Sequence, residues 1–195
     1  MGDESGQLEQ LHRAVPAILL ELEQREQRNG LSVLPRATAR LLATLVHCMQ
    51  ANRVLEIGTA YGYATLWMAL AQPPAGRIWT IDPDMERTQT AATYFARAGK
   101  RESVEFINQP ALEVLPVFPQ RNMDMVFINA AETEYEAYLE LSVALLKRSG
   151  LVLVNNLLQD SAVIRSFNEA FLHHPALDAT IVPVGAGLGI GARIQ

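Results

Sequence analysis

The sequence predicts a doubly wound α/β fold with a mostly parallel seven-stranded sheet and an antiparallel hairpin at its C-terminal end. Short apolar segments rich in β-branched residues alternate with longer segments whose apolar residues have helical spacing. This alternation favours right-handed crossovers, which place helices on both faces of a parallel sheet. Two final extended segments are joined across Gly185-Ala186-Gly187, as in a hairpin.

Two helices are predicted before the first strand. Apolar residues recur with helical spacing from Leu8 to Leu22, and Asn29-Gly30 ends the charged continuation of this helix. Pro16 is expected to kink or restart it. Pro35 opens the second helix, because proline is well tolerated in the first turn.

The remaining elements follow from turn residues and periodicity. The predicted strands are 53–57, 77–81, 104–107, 123–128, 151–154, 179–184 and 188–194. The predicted helices are 63–70, one that is opened by Asp82-Pro83-Asp84 and runs to Ala98, 111–117, 132–146 and 162–173.

The whole chain, 1–195, is predicted to be a single domain, since 195 residues with 49% hydrophobic content suffice for one sizeable core. Within it, 51–195 would form the α/β core. The helices in 1–50 would pack over a cofactor site or make a dimer interface, and the sequence leaves these alternatives open.

A glycine turn follows the first predicted strand. Glu56, Gly58 and Gly62 form the pattern E-x-G-x-x-x-G, and a following helix would direct free N–H groups at a ligand. The dinucleotide fingerprint G-x-G-x-x-G is absent, because Ala60 and Tyr63 stand where its later glycines belong. With Asp82 placed to accept ribose hydroxyls at the end of the next strand, the pattern favours S-adenosylmethionine over NAD. The alternative interpretation of this glycine pattern is an ordinary tight turn between a strand and a helix.

Composition limits the partners and the compartment. The net charge of −5 disfavours a nucleic-acid partner. The single cysteine, Cys48, cannot form an internal disulfide and is expected to be a small core residue, which suits a reducing cytosol. The start of the chain is polar and acidic, unlike a signal peptide, and no apolar run is long enough to span a bilayer. We therefore expect a cytoplasmic protein with no membrane association.

Several motifs, in this order, resemble those of the catechol and caffeoyl-CoA O-methyltransferases, over about 32–195. They are Val54-Leu-Glu-Ile-Gly-Thr with Gly62-Tyr63, Thr80-Ile-Asp82, Ala111-Leu-Glu-Val-Leu115, Met125-Val-Phe-Ile-Asn129, Tyr135-Glu-Ala-Tyr138, Leu145-Leu-Lys-Arg-Ser-Gly150 and Pro183-Val-Gly with Gly187-Leu188. The resemblance implies a Rossmann-like class I methyltransferase fold, S-adenosylmethionine as methyl donor, a small-molecule hydroxyl as acceptor and a homodimer.

The resemblance also implies the residues that contact the donor. Glu56, Gly58 and Thr59 would meet its methionine part, together with Gly62 and Tyr63 of the same loop. Asp82 would hold the ribose. The remaining implied donor contacts are Gln109, Pro110 and Ala111 on the adenine side, Val33 and Leu34 at the carboxylate end, and Asn129.

The acceptor half departs from the family. Its members bind a divalent cation, usually Mg²⁺, through an Asp after the fourth strand and an Asp-Asn pair after the fifth, and a Lys three residues after the first Asp helps to deprotonate the acceptor. Asn129, Asn155-Asn156 and Glu132 stand at these positions here. Because amide oxygens are neutral and Mg²⁺ is held through carboxylates, a divalent metal is not expected.

Metal-independent methyl transfer to a hydroxyl is therefore the leading functional prediction. Asn129, Asn155 and Asn156 would orient the acceptor, and Glu132 would replace the lysine as general base. Alternatively, Glu132 has no catalytic role and is simply an acidic residue in the first turn of a helix, where the helix dipole stabilises negative charge. A non-catalytic or regulatory S-adenosylmethionine-binding protein is the alternative function. Modification of tRNA is disfavoured by the acidic charge and the missing metal ligands.

Overall fold

A computed structural model of the chain describes residues 10–195. Within this range seven strands form one sheet in the order β3-β2-β1-β4-β5-β7-β6. The strands are β1 Arg53–Ile57, β2 Arg77–Ile81, β3 Val104–Ile107, β4 Met123–Ile128, β5 Leu146–Val154, β6 Leu177–Val182 and β7 Leu188–Arg193.

The sheet is mostly parallel. β1 pairs in parallel with β2 and β4, β2 with β3, and β4 with β5, whereas β7 runs antiparallel to both β5 and β6. The predicted fold class and its C-terminal hairpin are thereby confirmed. Because β1 lies between β2 and β4, the strand order reverses at β1, where open α/β sheets form a binding crevice.

Helices cover both faces of the sheet. They are α1 Ala17–Arg28, α2 Arg36–Met49, α3 Tyr63–Ala71, α4 Met85–Arg97, α5 Ala111–Val114, α6 Tyr135–Leu145 and α7 Ala162–Leu172. One core contains Leu19, Leu42 and Leu66 from the first three of these helices. The opposite core contains Leu139 and Phe167 from α6 and α7. The residues of both cores are buried, as expected for a sheet covered on both sides.

The largest departure from the sequence prediction is the start of β5. The prediction placed a turn at Ser149-Gly150 and began the strand at 151, whereas β5 begins at Leu146. The register with β4 shifts between Met123 and Met125, and Ser149 adopts a positive φ of 62° inside the strand. The Lys147 ammonium lies 2.5 Å from the Asp124 carboxylate of β4. A bulge therefore accommodates the turn residues without ending the strand.

Smaller corrections concern element ends and one side chain. The helix predicted over 132–146 begins as a 3₁₀ turn, Glu132–Glu134, and α6 starts at Tyr135. β6 lies two residues earlier than predicted. Pro16 precedes α1 as its N-cap, so the chain restarts there, while Leu8 lies outside the described residues. Cys48 is exposed, because it lies away from the buried side of α2 formed by Leu42 and Val46.

In the described part of the chain no helix has both the length and the apolar character needed to cross a bilayer.

Candidate functional site

A cleft of about 570 Å³ lies at the carboxyl ends of the central strands. Its floor comes from the residues that follow β1, β2, β3, β4 and β5, and the segment between α1 and α2 forms another wall. The strand order puts the residues after β1, β2 and β3 in one half and those after β4 and β5 in the other. We call these the donor half and the acceptor half.

The glycine turn of the donor half is held by backbone contacts. Gly58 has φ +96°, and a Cβ placed on it would lie 2.1 Å from the carbonyl oxygen of Asn129. Gly62 has φ +88° and donates its N–H to the Thr59 carbonyl at 2.8 Å. Both positions require glycine, since a side chain would strain the backbone and, at Gly58, would force the loops after β1 and β4 apart.

Asp82 joins the ends of β1 and β2. Its Oδ2 accepts the N–H of Ala60 at 2.8 Å, and its Oδ1 accepts the N–H of Asp84 at 2.9 Å. The side chain is nearly buried but lines the cleft. A carboxylate has about four acceptor positions, so each oxygen keeps a lone pair for a hydroxyl of a bound ligand.

Glu56 lies beneath the glycine turn and is fully buried. Its Oε2 accepts hydrogen bonds from the Thr65 hydroxyl of α3 and, at 2.6 Å, from the Thr80 hydroxyl of β2. Among residues 10–195, Oε1 has no hydrogen-bond partner. Burial raises the pKa of Glu56 from 4.5 to about 8, although the threonine hydroxyls oppose the shift. At neutral pH the carboxyl group is therefore mostly protonated.

A second buried acid, Glu26 of α1, was not found from the sequence. Its carboxylate accepts the N–H of Tyr63 at 3.4 Å, at the start of α3. Burial raises the pKa of Glu26 to about 7, while backbone N–H groups of Tyr63 and Tyr61 lower it. Glu26 falls within a run of charged residues, typical of an exposed helical face, and only the packing of α1 on α3 shows that it is buried.

The predicted donor contacts divide into two groups. Those that line the cleft are Val33, Gly58, Asp82, Pro110, Ala111 and Asn129. Those that do not line it are Leu34, Glu56, Thr59, Gly62, Tyr63 and Gln109. Leu34 belongs to the hydrophobic core, and the Thr59 and Thr80 hydroxyls lie 2.6 Å apart beneath the turn. Glu56 and Thr59 therefore support the glycine turn from beneath through their hydrogen bonds with Thr80.

Three amides meet in the acceptor half. Asn155 donates its side-chain N–H to Oδ1 of Asn129 at 3.0 Å, and both residues line the cleft with Asn156. Asn155 is 4% exposed, and its Oδ1 has no hydrogen-bond partner in the described structure. A buried polar atom without a partner is costly. This oxygen is therefore available to a hydrogen-bond donor carried by a ligand.

The amide cluster does not fit the divalent cation of the resembling enzymes. Its side chains contribute no negative charge, and the N–H of Asn155 is directed at the Asn129 oxygen that a metal would need. Mg²⁺ dehydrates reluctantly and is held through carboxylates. Nowhere in residues 10–195 do three or more His, Cys, Asp or Glu side chains form a group that could hold a metal ion.

Of the two acids before α6, Glu134 lines the cleft and Glu132 does not, while the role of Glu132 as general base stays a prediction. Glu134 and Tyr138 line the cleft, and the Tyr138 hydroxyl donates to the Glu134 carboxylate. Glu132 is partly exposed and does not line it. The 3₁₀ turn before α6 has a tighter winding than an α-helix, and this changes which side chain faces the cleft.

Comparisons with known proteins agree with this arrangement. The sequence model of the O-methyltransferase family matches residues 12–194. A catechol O-methyltransferase from Mycobacterium tuberculosis is 31% identical over 154 residues, which cover 73% of this chain and 70% of that protein. A caffeoyl-CoA O-methyltransferase from Eucalyptus gunnii is 28% identical over 178 residues, covering 80% and 72%.

A solved structure shows the same fold with a methyl donor present. The O-methyltransferase TomG from Streptomyces achromogenes, which is involved in tomaymycin synthesis and was crystallised with S-adenosylmethionine, superposes with a TM-score of 0.87. It is 26% identical, and the match covers 97% of this chain and 95% of that one. The family match over nearly the whole length, the sheet order and the cleft at its reversal point together show that this chain belongs to the O-methyltransferase family.

Proposed function

We propose that this protein is an S-adenosylmethionine-dependent methyltransferase that methylates a hydroxyl group of a small molecule without a divalent metal. The observation that carries the proposal is the composition of the cleft. Its donor half keeps Asp82 and the glycine turn, whereas its acceptor half has Asn129, Asn155 and Asn156 in place of metal-binding carboxylates.

In the donor half, Asp82 would accept the ribose hydroxyls, and Pro110 and Ala111 would border the adenine. Gly58 lets the main chain approach the donor closely, since it carries no Cβ. When bound, S-adenosylmethionine supplies a methyl group activated by a positively charged sulfur. Glu56, Thr59 and Tyr63 would act indirectly, by fixing the loop on which these contacts depend.

In the acceptor half, the amides would orient the hydroxyl compound. The free Oδ1 of Asn155 accepts a hydrogen bond from the acceptor, and Asn129 is held in place by Asn155. Orientation of this kind accounts for much of the rate of a displacement reaction, because the reacting atoms must lie in line and in contact. The cavity of about 570 Å³ is large enough for a small molecule beside the donor.

The alternative is a protein that binds S-adenosylmethionine but has lost catalysis. The loss of the family's carboxylates and lysine favours it. The enzyme is favoured by the position of the Asn155 side chain, which lines the cleft and offers its Oδ1 as a hydrogen-bond acceptor to a hydroxyl compound.

Calorimetry in a chelator tests the donor site first. We expect S-adenosylmethionine to bind with an affinity that does not change when Mg²⁺ replaces the chelator. Asp82→Asn should weaken binding by about 10-fold to 100-fold, because a charged acceptor is lost. Asp178→Asn, an exposed change of the same type, is the control. Unchanged affinity in Asp82→Asn would contradict the donor site.

Methyl transfer from labelled donor to a panel of phenols and catechols, again in chelator, tests the reaction. Transfer to any of them supports the enzyme, and donor binding with no transfer supports the non-catalytic alternative. A homodimer, which the resemblance supports, and a cytosolic location, which the single cysteine supports, are further proposals. Light scattering of the purified protein tests the first, and fractionation of cells tests the second.

A further inference from the structure

A hydrogen-bonded carboxylate and phenol face the acceptor half of the cleft. Glu134, the last residue of the 3₁₀ turn, accepts the hydroxyl of Tyr138, one turn later on α6. Both side chains line the cleft, which Asn129 and Ala130 also line. Tyr138 is 4% exposed and Glu134 is partly exposed, so the phenol is fixed while the carboxylate remains open to the cleft.

The charges of the cleft single out Glu134. Among the described lining residues the acidic and basic side chains are Asp82, Arg87 and Glu134. Asp82 and Arg87 belong to the donor half, and the Arg87 guanidinium is bound to Asp84 at 2.9 Å. Glu134 therefore supplies the charge of the acceptor half, where no lining cation competes for it in residues 10–195.

Tyr138 is suited to orient the carboxylate and unsuited to act as a base. Burial, and then the hydrogen bond and charge of Glu134, raise the pKa of the Tyr138 phenol above its ordinary value. The phenol therefore keeps its proton at neutral pH and donates a hydrogen bond to Glu134. Since this occupies one of about four acceptor positions of the carboxylate, the others remain available.

We propose that Glu134 is the general base of the methyl transfer and that Tyr138 positions it. This rests on the proposed function. The acceptor oxygen forms a bond to the methyl carbon while the carbon–sulfur bond breaks, and sulfur keeps that electron pair as a neutral thioether. The hydroxyl proton passes to the Glu134 carboxylate and then to solvent. Asn129 and Asn155 hold the acceptor oxygen during the transfer.

The test compares two acceptors that differ in their need for a base. Catechol keeps its hydroxyl protons at neutral pH, whereas the nitro group of 4-nitrocatechol makes one of its hydroxyls far more acidic. Glu134→Gln should lower kcat for catechol about 100-fold or more, as expected for loss of a general base. With 4-nitrocatechol the loss should be below about 10-fold, because little proton transfer remains to be catalysed.

Two further variants keep the test decisive. Tyr138→Phe should show the same dependence on acceptor acidity with a smaller loss of about 10-fold for catechol. Glu136→Gln, the same charge change on the exposed side of α6, should match the wild type. S-adenosylmethionine binding, measured by calorimetry, should be unchanged in all three variants, which separates a folding or donor-site defect from loss of the base.

Each result has a distinct meaning. Equal losses with both acceptors would show a structural role and overturn the proposal, as would wild-type rates in Glu134→Gln. Loss of catechol turnover in Glu132→Gln but not in Glu134→Gln would overturn it in favour of the acid indicated by the sequence. If the wild type binds the donor but methylates neither these two acceptors nor any other phenol of the panel, the proposed function fails and the proposed role of Glu134 fails with it.

Discussion

The side chains of Asn155 and Asn129 are joined by a hydrogen bond of 3.0 Å across the ends of β5 and β4. Asn155 is the donor, so its NH₂ group occupies the space between the two strands. A cation at this point would face an N–H and neutral oxygens. The pair therefore offers a metal ion no negative charge at this point of the cleft.

Restoring carboxylates at this pair should create a Mg²⁺ site. The double variant Asn129→Asp with Asn155→Asp supplies two negative charges, and we expect it to bind Mg²⁺ with a dissociation constant below about 1 mM. The wild type and the exposed variant Asn122→Asp should not bind at this level. Calorimetric titration with MgCl₂ measures this. Equal affinity in the wild type would show that the amides are competent ligands.

Replacing Gly58 should affect stability more than replacing another glycine of similar backbone conformation. Gly58→Ala places a Cβ at 2.1 Å from the Asn129 carbonyl oxygen, whereas Gly99→Ala, with φ +67°, meets nothing within 4 Å. We expect the free energy of unfolding to fall by at least about 2 kcal/mol more in Gly58→Ala. Urea unfolding measures both variants, and equal losses would mean that the close approach is not a constraint.

Glu56 should make the folded protein less stable as the pH rises. Its folded-state pKa, about 8, lies above the ordinary value of 4.5, so the native state holds a proton that the unfolded state releases. The stabilisation is complete below about pH 4.5 and is lost as the pH rises through about 8. Between about pH 5.5 and 8.5 this amounts to about 3 kcal/mol.

Glu56→Gln keeps an acceptor for Thr65 and Thr80 but cannot ionise. Between about pH 5.5 and 8.5, the free energy of unfolding should therefore fall by about 3 kcal/mol less in Glu56→Gln than in the wild type. Glu105→Gln, on the exposed side of β3, should leave the pH dependence unchanged. Urea unfolding at both pH values provides the measurement. Identical slopes in Glu56→Gln and the wild type would mean that Glu56 titrates normally.

Binding of the methyl donor should release protons near neutral pH. S-adenosylmethionine is net positive, because its sulfonium and ammonium groups outweigh its carboxylate, and positive charge above the glycine turn lowers the pKa of Glu56. Affinity should therefore increase with pH up to about 8. Calorimetry at about pH 7 in buffers of different ionisation enthalpy measures the protons released. Fewer protons should be released when the donor binds to Glu56→Gln. If this variant released as many protons as the wild type, the effect would belong to another group, such as Glu26.

The sequence was a good guide wherever local pattern decides the structure. The bounds of β1 to β4 followed from short apolar segments and their turn residues, and the amide cluster followed from three asparagines after β4 and β5. Strand ends of a parallel sheet meet at one edge, so these asparagines had to lie near one another once the sheet order was known.

Local pattern failed where a side chain's direction depends on its neighbours. Glu132 and Glu134 are both acids at the start of the same segment, and only the 3₁₀ turn and the hydroxyl of Tyr138 distinguish them. The acid in the acceptor half could therefore not be chosen from the sequence. Similarly, the bulge at Ser149 depends on pairing between β5 and β4, so the turn residues alone indicated a strand that begins too late.

The main-chain contact between Gly58 and Asn129 also bears on how new specificities can arise in this protein. The loops after β1 and β4 meet through backbone atoms, and these atoms are the same whatever side chains the acceptor half carries. Substitutions at three other lining positions, Ala131, Asn156 and Ala186, can thus alter the accepted molecule while the platform for the methyl donor stays in place. A mutant library confined to these three positions would explore new acceptors without rebuilding the rest of the enzyme.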